Sequence, residues 1–220
     1  MELKHKEKTM RKQSDILEIM EIFEKENPNP ICELNYTNAY TLLVAVVLSA
    51  QSTDKGVNKA TDNLFKVADT PQKMLELGEE TLKSYIKTIG LYNNKAKNIL
   101  LMSKDLVEKY NGEVPSNRDE LENLAGVGRK TANVVLNVWF DKPTLAVDTH
   151  VMRISSRLDF SKGTTPLAIE KDLMKILPEN YVKKANHWLV LFGRYICKAQ
   201  KPQCMNCPIS AYCYSKDKII

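Results

Sequence analysis

Apolar residues recur at spacings of three and four along most of this chain, and that spacing predicts helices. Ile16, Ile19, Met20 and Phe23 would share one face of a helix, as would Leu42, Leu43, Val46 and Val47. Leu100, Leu101, Leu106 and Val107 follow the same spacing more loosely, and Val134, Val135, Val138 and Trp139 give the clearest case. Residues 187–196, His-Trp-Leu-Val-Leu-Phe-Gly-Arg-Tyr-Ile, read as a further buried helix. Two-residue alternation is scarce, so the expected fold class is all-α, although the β-branched runs at 41–48 and 134–138 would also suit strands. Breaks are expected at Asn27-Pro28-Asn29-Pro30, at residues 111–115, at Asp141-Lys142-Pro143 and near residues 163–166. Ser116 and Asp119 have the spacing of a helix-opening capping box.

A chain of 220 residues, 43% of them hydrophobic, can fill one large core or two small ones. The longest apolar run, residues 41–50, is too short to span a membrane. Residues 1–12 are mostly charged and contain no apolar signal core, so a cytoplasmic, reducing location is expected, nucleoid-associated if the source is bacterial. The net charge of +5 is unevenly spread: residues 181–220 hold seven Lys or Arg against the single Asp217, and residues 1–12 hold five against two acidic residues. Two basic ends around a slightly acidic middle suit attraction to phosphate better than an evenly mixed surface does.

Three segments carry chemistry. Leu124-Ala125-Gly126-Val127-Gly128-Arg129-Lys130-Thr131-Ala132 lies between two helical stretches. Its two glycines permit a tight turn, and the backbone N–H groups of such a turn, with the start of the next helix, form an anion site suited to a DNA phosphate. Lys130 falls in the first turn of that helix, where the positive end of the helix dipole and the adjacent Arg129 favour the neutral amine that Schiff-base chemistry needs. Position alone leaves open a charged lysine that only binds phosphate. Asp148, in Val147-Asp148-Thr149-His150, suits a helix N-cap that stays ionised and could also assist proton transfer or balance cationic charge. His150 reads as a structural hydrogen-bonding residue.

The third segment is Cys197, Cys204, Cys207 and Cys213, four soft ligands within seventeen residues, which argues for metal in place of disulfides. Spacing admits a four-thiolate zinc site and also suits an iron–sulfur cluster. Lys198 and Lys201, in the loop between the first two cysteines, would offer charge to a DNA backbone. Cys32 reads as an ordinary buried thiol.

These segments, with Leu48-Ser49-Ala50-Gln51-Ser52-Thr53-Asp54 and Ile89-Gly90-Leu91-Tyr92-Asn93, closely resemble the endonuclease III family of the helix–hairpin–helix superfamily. The resemblance runs from about residue 14 to 215. It implies a helix–hairpin–helix DNA glycosylase fold of two lobes, with duplex DNA bound in the cleft between them. A six-helix barrel at 32–142 would contain the helix–hairpin–helix at 118–137. The other lobe would join residues 143–220 to residues 1–31, a basic tail and helix, and hold a [4Fe-4S] cluster on the four cysteines.

The resemblance further implies a monomeric enzyme that removes damaged pyrimidines and cuts abasic sites. Lys130 would be the nucleophile and Asp148 its acidic partner. Gln51 would fill the gap left by the flipped nucleotide, and Leu91 would lie near the opposite strand's bases. Gly126, Val127, Gly128 and Arg129 would hold phosphate, and Glu122 matches a family carboxylate near the active site. Ala125 stands where the family usually has proline, which makes the hairpin less stiff but removes no donor. The rival readings are a monofunctional adenine-mismatch glycosylase, a silent DNA-binding module and an iron–sulfur electron carrier. Lys130 counts against the first.

Overall fold

Helices form wherever the three-and-four spacing runs, including both runs rich in β-branched residues. The computed structural model describes residues 11–219, and among these every regular element is helical. Residues 41–48 belong to α2 (Ala39–Ser49), because nearly every position there is buried and an all-round apolar helix satisfies its own backbone in the interior. Residues 134–138 belong to α8 (Arg129–Val138), whose Ala132, Val135 and Leu136 face inward.

The chain divides into two units. One comprises Ile31–Thr144 and contains α2, α3 (Asp54–Val67), α4 (Pro71–Leu77), α5 (Glu79–Ile86), α6 (Tyr92–Tyr110), α7 (Arg118–Glu122) and α8. In it α6 packs on α2, α4 and α5, and α2 also packs on α3 and α8. Leu42, Leu43, Leu48, Leu64, Ile86 and Ile99 form the centre of its core, and Cys32 is half-buried against its edge, less enclosed than the sequence suggests. The other unit comprises the described part of Met1–Pro30 with Leu145–Ile220. It contains α1 (Gln13–Glu26), α9 (Thr149–Arg157), α10 (Pro166–Ile176) and α11 (Glu179–Tyr195), followed by two 3₁₀ turns at Cys204–Asn206 and Ser210–Tyr212. Ile16, Ile19, Met20 and Phe23 of α1 are buried in its core.

Two details differ from the sequence reading. The N-cap of α7 is Asn117, not Ser116: the Asn117 carboxamide oxygen accepts from the Asp119 and Glu120 N–H groups, while the Ser116 carbonyl accepts from Lys142. The basic extension at 1–12 lies outside the described residues up to residue 10, but Arg11 is tied down. Its side chain is 2% exposed, and its Nε donates to the Leu158 carbonyl at 2.7 Å.

A buried Tyr–Ser pair in the first unit generates a pH prediction. Tyr40, 4% exposed, donates to Ser103 Oγ at 2.5 Å, and Ser103 in turn donates to the Ile99 carbonyl. Burial pushes the Tyr40 phenol far up, against a smaller opposing pull from the Ser103 hydrogen bond. The folded pKa lies above the unfolded one, so this stability is complete below about pH 10 and declines as pH rises, by about 1.4 kcal/mol per pH unit. Tyr40→Phe should lower stability at pH 8 by about 1 kcal/mol and make the decline above pH 10 shallower, read by urea unfolding across pH. In the second unit α9 and α11 meet at Gly193, where an added Cβ would lie 2.8 Å from the Cβ of His150. Gly193→Ala should therefore cost about 1–3 kcal/mol, measured by denaturant melting.

Candidate functional site

The start of α8 is built so that its backbone donors stay accessible. Gly126 takes a positive φ of 78°, and a Cβ there would press on the Asn98 side chain at 2.9 Å, so both conformation and space demand glycine. Gly128 is the N-cap of α8, has extended backbone, and faces open space where a Cβ would stand. Nothing inside the chain requires glycine at 128, which fits a ligand approaching the backbone. Val127 offers least to a ligand: its side chain is buried, and its N–H donates to the Leu124 carbonyl at 3.1 Å. Lys130, the second residue of α8, is exposed. Arg129 is half-buried and sits 3.9 Å from the Glu122 carboxylate, an open ion pair at the hairpin.

Helix starts across the chain show how unusual this is. Side chains cap α2, α3, α4, α7, α9 and α10, while α1, α5 and α11 carry an acidic residue in the first turn. Among the described residues, α6 and α8 have neither. Neither positive end meets a side-chain cap or a first-turn acid.

The N-cap of α6 is Leu91, 59% exposed and left-handed at φ 59°. Gln51, also exposed, has φ 56°, and Lys201 has φ 48°. The other non-glycine residues at positive φ among those described are Asn111, Asp141 and Asp159, types that tolerate this region. Glutamine, leucine and lysine do not do so readily, and such strain gathers at ligand-binding positions.

In the other unit, Asp148 is the N-cap of α9 and its Oδ1 accepts from the Val151 N–H at 2.9 Å. His150 Nδ1 lies 3.2 Å from Arg153 Nη2 and accepts from it, the structural role expected. The four cysteines line one pocket with Arg157, Leu158 and Ile209. Among the described residues, no three His, Cys, Asp or Glu side chains converge closely enough to hold a single metal ion. Four thiols lining one shared apolar pocket suit a thiolate-ligated iron–sulfur cluster. Burial pushes the Cys207 thiol up to about 11; the Ile209 backbone opposes this, and charge on the other three cysteines adds to it. Thiolates crowded there need the compensating charge of bound iron.

The sequence reading missed Arg153 and Arg157, which face this pocket's first strand of chain. Arg157 Nη1 donates to Cys197 Sγ at 3.3 Å and to the Lys198 carbonyl at 2.7 Å. Arg153 Nε donates to the Cys197 carbonyl at 3.1 Å. The signal available was two arginines four residues apart on the helix that follows Asp148. Lys198 and Lys201 are exposed in the same loop.

Comparison with known proteins accounts for both sites. Residues 44–179 match the HhH-GPD superfamily base excision DNA repair protein model, and residues 197–213 match the iron–sulfur binding domain of endonuclease III. The chain is 54% identical over 203 residues to endonuclease III of Haemophilus influenzae, covering 92% of this chain and 96% of that one. It is 52% identical to endonuclease III of Escherichia coli over the same shares. Among solved structures, a trapped endonuclease III–DNA covalent intermediate superimposes with a TM-score of 0.88 at 48% identity, covering 93% of this chain and 97% of that one. A thermostable thymine-DNA glycosylase shares the fold, with a TM-score of 0.80 at 23% identity over 92% and 95% of the two chains. The cofactor is a [4Fe-4S] cluster. By sequence and by fold, the chain belongs to the endonuclease III family, DNA glycosylases with abasic-site lyase activity that act in base excision repair.

Proposed function

We propose that this enzyme removes damaged pyrimidines from duplex DNA with Lys130 as nucleophile and Asp148 as its acidic partner. The observation that carries the reading is the open start of α8, where no side chain caps the helix and Lys130 stands exposed in the first turn. Hairpin N–H groups around Gly126 and Gly128 and the start of α8 hold a phosphate, which positions the strand without reading its sequence. The damaged nucleotide leaves the stack, Gln51 fills the space it vacates, and Leu91 lies against the opposite strand. Their left-handed backbones support this, since each holds an exposed side chain at the head of a tight turn. Arg129, Lys198 and Lys201 add charge for the phosphate backbone.

Bound DNA covers Lys130, and this desolvation favours the neutral amine that nucleophilic attack requires. The amine attacks C1′ as the glycosidic bond breaks and the base departs with the bonding electrons. Asp148 stabilises the cationic sugar and accepts the proton released by the amine. The sugar ring opens to a Schiff base, which acidifies a C2′ proton. Its loss expels the 3′ phosphate by β-elimination, and water then releases the lysine. The trapped covalent complex of the related endonuclease III supports such an intermediate. Cys197, Cys204, Cys207 and Cys213 would ligate the cluster, which supplies cross-linking of the cysteine loop; Arg153 and Arg157 hold that loop by its carbonyls.

Borohydride trapping on an abasic duplex tests the nucleophile. Lys130→Ala should lower adduct formation about a thousandfold or more while still binding the duplex. An adduct at the parental level would remove Lys130 from the mechanism. Asp148→Asn separates capping from catalysis, since asparagine caps as well as aspartate. It should hold thermal stability near the parental value and lower the glycosylase rate about 10²–10⁴-fold, read in single-turnover assays.

A further inference from the structure

A lysine in a protein interior is costly unless its charge is fully satisfied. Lys95, at the end of the first turn of α6, is 6% exposed. Its ammonium donates to the Leu48 carbonyl at 2.9 Å, the Ala50 carbonyl at 2.5 Å and Ser52 Oγ at 3.3 Å. An ammonium has three N–H groups, and all three acceptors lie within residues 48–52. Burial draws the Lys95 pKa down from the usual lysine value, a cost that these acceptors offset.

The acceptors close the end of α2. That helix has no basic residue in its last turn, and the Leu48 and Ala50 carbonyls are met by a cation brought in from α6. Between Ala50 and Ser52 sits Gln51 with its left-handed backbone. The backbone of Lys95 meets the other strained turn, for its N–H donates to the Leu91 carbonyl at 3.1 Å. The two turns also touch: a Cβ on Gly90 would lie 3.7 Å from the Gln51 carbonyl oxygen. One residue therefore grips Gln51's turn by its side chain and Leu91's turn by its backbone.

We infer that Lys95 is a positioning residue that locks the Gln51 and Leu91 turns into one rigid wedge for entering the lesion duplex. The inference rests on the roles given above to Gln51 and Leu91. Non-glycine residues at positive φ persist only where their surroundings over-determine them, and the Lys95 ammonium supplies that constraint for the Gln51 turn, which meets Gly90 beside Leu91. A methionine of similar length would fill the space without a desolvation cost, but would leave all three acceptors unbound.

A double-mutant cycle tests this. On a duplex carrying one oxidised pyrimidine, Lys95→Met should lower kcat/KM about 10–100-fold in the parental background. In a Gln51→Ala background the same change should cost less than about threefold, because the wedge is already lost. On a duplex with a tetrahydrofuran abasic analogue opposite 2-aminopurine, saturating parental protein should raise the fluorescence as the base unstacks, and Lys95→Met should abolish the rise. Should Lys95→Met fail to fold, Lys95→Gln, which keeps two donors, should give a smaller loss with the same dependence on Gln51. An equal cost in both backgrounds would overturn the inference alone. A Gln51→Ala protein with parental rate and fluorescence would overturn the reading of Gln51, and this inference with it.

Discussion

The first turn of any helix carries backbone N–H groups with no partner inside the helix, and this requirement organises the whole chain. Most of its helices meet the need internally. Asn38, Thr53, Thr70, Asn117, Asp148 and Thr165 cap their helices with side-chain oxygens, and Asp15, Glu79 and Glu179 place negative charge at three more. The exceptions, α6 and α8, begin at Leu91 and at the Gly126–Gly128 hairpin. Two positive helix ends without an internal anion are what a polyanionic ligand requires. Asp148 shows the same logic from the other side, because a carboxylate engaged as a cap is held in a fixed direction for a second task.

The reverse problem, orphan carbonyls at helix ends, is met with buried cations. Lys95 closes α2 in one unit, while in the other Arg153 binds the Gly193 carbonyl in the last turn of α11 and, with Arg157, the Cys197 and Lys198 carbonyls just beyond it. In each case a long basic side chain from a neighbouring helix fixes a segment outside the helices: the Gln51 turn in the first, the cysteine loop in the second. Rigid support under an exposed turn is how a loop comes to hold a side chain where chemistry or duplex entry needs it.

Much of this was legible in the sequence. The helical class followed from the spacing of Ile16, Ile19, Met20 and Phe23 and its repeats, and the turns from paired Asn, Pro and Gly. The four cysteines announced a metal, and the hairpin glycines announced the tight turn before α8. Family membership now sets aside the readings as a silent DNA-binding module and as an electron carrier. What spacing could not reveal depends on contacts far apart in sequence. Choosing Asn117 over Ser116 needed the folded backbone, in which the Asn117 carboxamide meets the Asp119 and Glu120 N–H groups, and choosing helix over strand at 41–48 needed burial on every side. The work of Lys95 is invisible in sequence, since its partners lie more than forty residues away.

Amide hydrogen exchange is the most direct probe of the open helix starts. With the protein saturated by a duplex bearing an uncleavable abasic analogue, the amides of residues 128–131 and 91–94 should slow strongly, while those of the capped start of α4 keep their free-state rates. Unchanged exchange at residues 128–131 under full occupancy would contradict the account, because the phosphate would then be held elsewhere.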